Sequence, residues 1–334
     1  MIPLLKRAHF QLTCLCNLSC SFCGQSKGMV GSIIPKELTL QKWLSLAEEL
    51  QECAGNIPVS IMLWGGEPLL YSFFDDLANE LHRRSIRLGI VTNGTLIDRH
   101  LKVLATCIDS IHISVDGMRE AHNAVRGAGV FEKLHENLVM LNPIRRGQLT
   151  FLTTLTEVNL SVKGQLAELC HQMITLGPDA ITLQPLMYLS SNEIKEFRNY
   201  CRTHFLCDYE QLQVWQRDDD REYLKLLRRE LDILQTQQYP IPVTFTPHRY
   251  PAMEAELPHC EAPWTRVHIR YDGEVGFCTD YFNFSAGNVM ETSLHEIFYG
   301  QKAELFRKAV AQNQLATCDH CPWRRQKLYN IVGE

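Results

Sequence analysis

Long apolar runs are missing from this chain. None approaches the roughly 18 residues that a membrane-crossing helix needs, so a helical span is excluded. An excess of positive charge is missing too. Against 38 aspartates and glutamates stand 33 lysines and arginines, a net charge of −5, so no basic field points to nucleic acid or an anionic membrane. There is no internal repeat and no low-complexity tract, so the chain is neither a repeat array nor a tail of biased composition. The amino terminus lacks the order of a signal peptide: Lys6 and Arg7 follow the short apolar stretch, and no small-residue cleavage site comes after them. The expected location is therefore the cytoplasm. What is present is the balance of a folded globular protein, 45% apolar and 21% charged over 334 residues, enough for one large or two ordinary domains.

Thirteen cysteines stand out from that ordinary background. In a reducing compartment such a number points to metal binding or redox chemistry rather than to a disulfide framework. Their positions sharpen the point. Cys14, Cys16, Cys20 and Cys23 lie within ten residues, and Cys260, Cys278, Cys318 and Cys321 punctuate the last quarter. The other five, Cys53, Cys107, Cys170, Cys201 and Cys207, are scattered, and the plain reading is a small buried hydrophobe.

Strand-like and helix-like patterns alternate from residue 7 to about 186. Residues 7–13 alternate, with Ala8, Phe10 and Leu12 on one face; short apolar runs at 59–64, 88–92, 111–115, 149–155 and 180–183 read as strands. Between them come helical stripes such as Leu40, Trp43, Leu44 and Ala47, or Phe131, Leu134, Leu138 and Leu141. Six such cycles predict a parallel α/β sheet, either open and doubly wound or partly closed into a barrel. In both, ligands gather at the carboxyl ends of the strands. Residues 188–240 are polar and helical in pattern, and the charge run from Arg217 to Arg221 reads as a solvated face. Pro240, Pro242, Pro247 and Pro251 mark a linker with a short strand at 243–245. Beyond it, Asp272-Gly273 between 267–271 and 275–279 signals a hairpin, and a helix is expected at 294–299.

Cys16-Asn-Leu-Ser-Cys20-Ser-Phe-Cys23 places three thiols on one loop directly after the first strand. Three thiolates can hold three irons of a [4Fe–4S] cluster and leave the fourth iron for an outside ligand. A structural zinc site would want a fourth donor, which Cys14 could supply; Cys14 could also replace Cys16 in a C-x5-C-x2-C reading. The remaining oddities also fall after strands: Gly65-Gly66-Glu67-Pro68, Thr92-Asn93-Gly94 and Ser114-Val115-Asp116-Gly117. Singly, each has an ordinary reading as a turn or a solvated charge.

Together they resemble the radical S-adenosylmethionine (radical SAM) enzymes. The C-x3-C-x2-C loop with Phe22 before its last cysteine, the GGEP and TNG stretches, and Ser114, His122, Arg126-Gly127 and Phe131 follow that family's order over residues 7–186. The resemblance implies a partial (β/α)6 TIM-like barrel, with Cys16, Cys20 and Cys23 holding a [4Fe–4S] cluster that binds SAM. It further implies SAM contacts at Phe22, Gly65, Gly66, Glu67, Pro68, Asn93, Ser114 and Arg126: the glycine-flanked Glu67 for the amino group, Ser114 and Arg126 for ribose and carboxylate. An arginine suits a bidentate carboxylate contact, and close approach needs glycine.

Cys260, Cys278 and the pair Cys318-x2-Cys321 suffice for a closed site, zinc or a second [4Fe–4S] by spacing alone. The tail is similar to the shortened SPASM domain called twitch, built on a hairpin and helix, which implies one auxiliary [4Fe–4S] cluster on these four cysteines. Full ligation leaves no open iron, which favours electron transfer over substrate ligation. Some relatives place a catalytic aspartate directly after the hairpin cysteine; here Thr279 holds that position and Asp280 follows, so Asp280 is the candidate base.

The expected domains are a radical SAM core at 1–187, a helical segment and linker at 188–255, and the auxiliary-cluster unit at 256–334. The expected reaction is reductive cleavage of SAM to a 5′-deoxyadenosyl radical that abstracts a substrate hydrogen. The favoured substrate is a ribosomally made peptide; the alternative is an alcohol of an amino sugar or aminocyclitol, and an iron–sulfur carrier or sensor is a third reading. Partners implied are an electron donor such as flavodoxin or ferredoxin, and a precursor peptide. Because the chain starts at the first strand, a separate leader-recognition protein is expected.

Overall fold

The computed structural model describes residues 2–24, 37–245, 260–279, 283–315, 317–318 and 321. Strand and helix alternate as the periodicity implies: β1 (Arg7–Thr13), α1 (Leu40–Ala54), β2 (Ser60–Gly65), α2 (Phe74–Arg83), β3 (Arg87–Thr92), α3 (Leu101–Cys107), β4 (Ser110–Ser114), α4 (Arg119–Arg126), α5 (Val130–Leu141), β5 (Gln148–Leu155), α6 (Glu157–Leu160), α7 (Gln165–Ile174) and β6 (Ala180–Pro185). The rest comprises α8 (Ser191–Tyr200), α9 (Arg221–Leu234), β7 (Val243–Phe245), α10 (Ala262–Thr265), β8 (Arg266–Ile269), β9 (Glu274–Gly276), β10 (Gly287–Asn288), α11 (Leu294–Tyr299) and α12 (Gln301–Ala311). All six strands of the repeating region form within one or two residues of expectation.

One sheet of ten strands runs through the whole molecule, in the order β10-β9-β8-β1-β2-β3-β4-β5-β6-β7. From β8 to β7 every neighbour is parallel. The linker strand at 243–245 is thus a seventh parallel strand of the core. The hairpin of the tail joins the same sheet: β8 lies parallel to β1, with Arg7 opposite Arg266 and His9 opposite His268, and β9 returns antiparallel. Asp272-Gly273 makes the turn, with Gly273 at φ +91. The return strand is shorter than expected, because Phe277 leaves the ladder to pack among Phe284, Phe298 and Phe306.

The alternation along β1 decides which face is core. Ala8, Phe10 and Leu12 point outward to the helices and are fully buried, Phe10 lying 4.6 Å from the Trp43 ring of α1. The opposite face carries His9 and Gln11, and other strands likewise turn polar groups inward, among them His112, Thr182, Gln184, Thr244 and His268. A purely structural parallel sheet would be apolar on both faces. Here side chains from all eight parallel strands line one cavity of about 600 Å³, the lumen of a partial barrel.

The run from Arg217 to Arg221 departs from its reading as a solvated face. The Arg217 guanidinium sits 5.5 Å from the Tyr188 ring centre and 5.1 Å from that of Tyr223, and it pairs with Glu157. Asp218 accepts from the Ser191 N–H at the start of α8, and Asp220 accepts from the Tyr188 hydroxyl. Aromatic faces and orphan helix donors make this end more useful as a clamp than as bare surface. Of the five scattered cysteines, Cys107, Cys170 and Cys201 are buried and Cys53 and Cys207 half-buried. Among the described residues no helix is long and apolar enough to cross a membrane.

Phe10→Ala removes a fully buried ring between sheet and α1 and is expected to cost about 3–5 kcal/mol, read from the urea unfolding midpoint.

Candidate functional site

The loop that follows β1 is held on two sides. On the first side its opening residues dock onto the turn after β2. The Gly66 N–H donates to the Thr13 carbonyl at 3.0 Å and the Glu67 N–H to the Leu15 carbonyl at 2.8 Å. Gly65 permits this: at φ +154 a Cβ there would stand 2.4 Å from the Thr13 oxygen. Glu67, fully buried, then draws in the third strand's loop. One of its oxygens accepts from the Thr92 hydroxyl (2.7 Å) and the Leu69 N–H (3.2 Å), the other from the Asn93 N–H (2.8 Å). Pro68 begins a short 3-10 turn, Pro68–Leu70, capped by the same carboxylate. Glu67 therefore braces its own turn and the loop after β3 with its carboxylate, and the loop after β1 with its backbone N–H.

Asn93 carries the brace to the cysteines. Its side-chain amide donates to Asn17 at 2.9 Å and reaches the Cys16 sulfur at 4.0 Å, while its carbonyl accepts from Thr95. Asn17 in turn donates to the Thr95 hydroxyl. On the second side α4 closes in. The Ser21 N–H donates to the Val125 carbonyl, and Arg126 extends one guanidinium nitrogen to the Cys20 sulfur at 3.8 Å. The Arg126 guanidinium carbon lies 5.8 Å from the Phe22 ring centre. Arg126 is itself fixed by Asp116, whose carboxylate takes its Nε–H at 2.6 Å and the Thr154 N–H at 2.8 Å. Ser114, half-buried, ends β4 just before this pair.

Cys16 is exposed, Cys20 buried and Cys23 half-buried, and each of the first two is within electrostatic reach of the other thiols. Desolvation pushes the Cys16 thiol up to about 11, with Glu67 and the two other cysteines adding, against the Leu18 N–H that donates to its sulfur at 3.4 Å. Cys20 is also raised by desolvation, opposed by Arg126. Three thiols with an N–H, an amide and a guanidinium aimed at their sulfurs fit an anionic iron–sulfur cluster. Cys14 is buried directly after β1.

The four later cysteines lie towards the other end of the strands. Cys260 precedes α10, Cys278 follows β9, and Cys318 and Cys321 follow α12; all four line the floor of the lumen. Arg307 of α12 ties this region together by donating to the carbonyls of Pro263 and Phe298. The Arg266 guanidinium faces these thiols, and its buried Nε–H has no hydrogen-bond partner among the described residues. That orphaned donor beside four thiols is what a bound anionic cluster would satisfy. Thr279 lines the same cavity, whereas Asp280 lies outside the described residues. At seven residues and about 3.3 Å each, β1 itself runs about 23 Å from end to end.

Asn17, Thr92, Thr95 and Asp116 were not among the residues singled out from the sequence. Asp116 stood inside the quoted Ser-Val-Asp-Gly stretch, and Asn17 within the cysteine loop, but neither has a spacing that announces a hydrogen bond 76 positions away, as between Asn17 and Asn93, or one between Asp116 and Arg126. Burial raises Glu67 from an ordinary 4.5 to about 7, against three donors that lower it. A carboxyl raised in the fold binds its proton more tightly there than when unfolded, so stability is full below about pH 4.5 and falls as pH rises to 7. In the cluster-free protein this loss is expected to be about 3 kcal/mol, and Glu67→Gln should flatten that part of the pH profile in urea unfolding.

Comparison with known proteins agrees with this geometry. The family model of the radical SAM superfamily matches residues 10–183, and that of an iron–sulfur cluster-binding domain, SPASM, matches residues 260–322. The AdoMet-dependent heme synthase of Methanosarcina barkeri is 25% identical over 97% of this chain and 92% of its own. The sporulation killing factor maturation protein SkfB of Bacillus subtilis is 28% identical over 50% of this chain, which spans only 39% of that relative. Among solved structures, Streptococcus suis SuiB bound to S-adenosylmethionine superimposes with a TM-score of 0.67 at 16% identity, covering 96% of this chain and 73% of SuiB. The chain belongs to the radical SAM superfamily, with S-adenosylmethionine and a [4Fe–4S] cluster as its cofactors and a SPASM-type carboxy-terminal domain for auxiliary iron–sulfur.

Proposed function

We propose that this chain oxidatively modifies a ribosomally made peptide inside its lumen. The observation that carries the reading is a lumen of about 600 Å³ lined by side chains of all eight parallel strands and, at its floor, by Cys260, Cys278, Cys318 and Cys321. When bound, a reduced cluster with SAM supplies hydrogen-atom abstraction and an auxiliary cluster supplies an electron sink. The residues of the chain do the positioning. Cys16, Cys20 and Cys23 hold the first cluster at the carboxyl ends of the strands; Cys260, Cys278, Cys318 and Cys321 hold the second at the opposite end. Phe22, Gly65, Gly66, Glu67, Pro68, Asn93, Ser114 and Arg126 shape the SAM site, Glu67 and the Arg126–Asp116 pair as braces of the loop that carries the thiols. Residues 1–187 act as the core, 188–255 as the helical segment beside it and 256–334 as the auxiliary unit.

The peptide reading is supported by SkfB, named as a maturation protein, and by SuiB, solved with its precursor peptide SuiA. A leader-recognition protein and a flavodoxin or ferredoxin complete the proposed partners. A second reading, a tetrapyrrole substrate, is favoured by one observation: the heme synthase matches this chain over nearly its full length, SkfB over part of its own.

Anaerobic reconstitution is expected to give about eight irons per chain, four per cluster, and 5′-deoxyadenosine on addition of SAM and a strong reductant. Replacing Cys16, Cys20 and Cys23 together by alanine should abolish that product; product from the triple variant sinks the proposal. Cys278→Ala should lose about four irons yet still cleave SAM. Arg126→Ala should slow cleavage with iron content intact, and an unchanged rate would favour a simple electron carrier. Mass spectrometry after incubation with a peptide from a reading frame beside the gene, or with a porphyrin, decides the substrate: loss of two hydrogens from the porphyrin alone overturns the peptide reading.

A further inference from the structure

Arg266 is a half-buried cation whose Nε is buried, and it forms no ion pair with a carboxylate among the described residues. It opens β8 at the floor of the lumen, in the same cavity lining as Cys260, Cys278, Cys318 and Cys321. Its Nη1 lies 3.4 Å from His9 Nε2, across the β1–β8 pairing, and its Nε–H is buried with no partner among the described residues. Among the described residues no Asp or Glu lines this cavity. Burial, and after it the nearby Arg7, pull this guanidinium below its ordinary value, while Cys278, Cys260 and Cys321 pull it up. His9 and His268, desolvated and beside Arg266, are held well below the usual imidazole range, so neither adds charge nor can neutralise it. A desolvated guanidinium with a spare donor is costly unless an anion sits against it.

We infer that Arg266 donates a hydrogen bond to the auxiliary cluster and, by its charge, raises that cluster's reduction potential, with His9 holding the guanidinium in place. The inference rests on Cys260, Cys278, Cys318 and Cys321 being the ligands. Four thiolates leave a [4Fe–4S] cube a net anion in both oxidation states, and more negative when reduced. A fixed cation at its edge therefore stabilises the reduced form most. Net charge and hydrogen bonds to the sulfurs are the levers by which proteins set such potentials. A cluster that receives an electron from the substrate side needs its potential held up, and the barrel floor supplies the means. Arg7, in register with Arg266 but exposed, is screened by water and contributes less.

The test is an EPR-monitored redox titration of the reconstituted protein without substrate, on wild type, Arg266→Gln, Arg266→Lys and Arg7→Gln. Arg266→Gln is expected to lower the auxiliary midpoint by at least a tenfold change in the reduced-to-oxidised ratio, about 59 mV for one electron. Arg266→Lys, which keeps the charge but loses the planar fork, should fall between, and Arg7→Gln should shift less than Arg266→Gln. If only one Arg266 variant retains its iron, that variant decides. Variants with full iron and a wild-type potential overturn the inference alone, the outcome expected if the guanidinium serves a substrate anion instead; an equal shift from Arg7→Gln overturns it too. A wild-type protein holding only four irons, or an unchanged iron count in Cys278→Ala, overturns the ligand assignment together with it.

Discussion

Hydrogen bonding of β8 along β1 is the constraint on which the rest of the molecule depends. Residues 7–10 and 266–269 run parallel, in register, although more than 250 positions separate them in the chain. That pairing sets Arg266 beside His9 and places Cys260, before β8, and Cys278, after the antiparallel return strand, towards the amino ends of the core strands. The cysteine loop after β1 emerges at the carboxyl ends. Two thiol groups far apart in sequence thus fall at opposite ends of the same strands. Backbone contacts reinforce the junction, with the Leu4 and Lys6 N–H groups donating to the carbonyls of Trp264 and Thr265.

The lumen exists because the inner face of the sheet is not packed with hydrocarbon. Branched apolar residues hold the outer face against the helices, while histidine, threonine and glutamine occupy many inner positions. Burying such groups is unfavourable unless something meets them, so the inner face is stable as the wall of a cavity rather than as core. The rings of His9 and His268, edge to face with centres 4.4 Å apart, are disfavoured from protonation by burial and the neighbouring arginine. The barrel interior therefore combines uncharged walls, polar at the histidines and threonines and apolar at Met62, Trp64, Val91 and Leu152, with a cationic floor.

At the opposite end a buried carboxylate organises a loop that must bind metal. Glu67 accepts donors from its own turn and from the loop after β3, and Asn93 passes that order to Asn17 and the first thiol. The Asp116–Arg126 pair does the same from α4, leaving a guanidinium nitrogen directed at Cys20. Both devices cost desolvation, and both recover it through several hydrogen bonds rather than one. The expected roles of Glu67 and Arg126 are accordingly refined: each is engaged by this chain's own groups, and their hold on the thiol loop is the better-supported part of what they do.

Much of this was legible in the residues. Alternating periodicities carried the order of the first six strands, because amphipathic faces repeat at 2 and 3.6 residues whatever the tertiary setting. Cysteine spacing located both thiol groups, since ligands of one cluster on one loop must be close in sequence. Other features were invisible for a physical reason: they are long-range hydrogen bonds and shared cavities. No local pattern marks Val243–Phe245 as a core strand, β8 as the neighbour of β1, Arg217 as a clamp between two tyrosines, or Arg266 as a cation facing Cys260, Cys278 and Cys321. By itself the sequence determined the class of chemistry and the elements that carry it. Only tertiary structure decided that the two thiol groups lie at opposite ends of the same strands, because strand pairing between distant segments depends on three-dimensional packing that local periodicity does not encode.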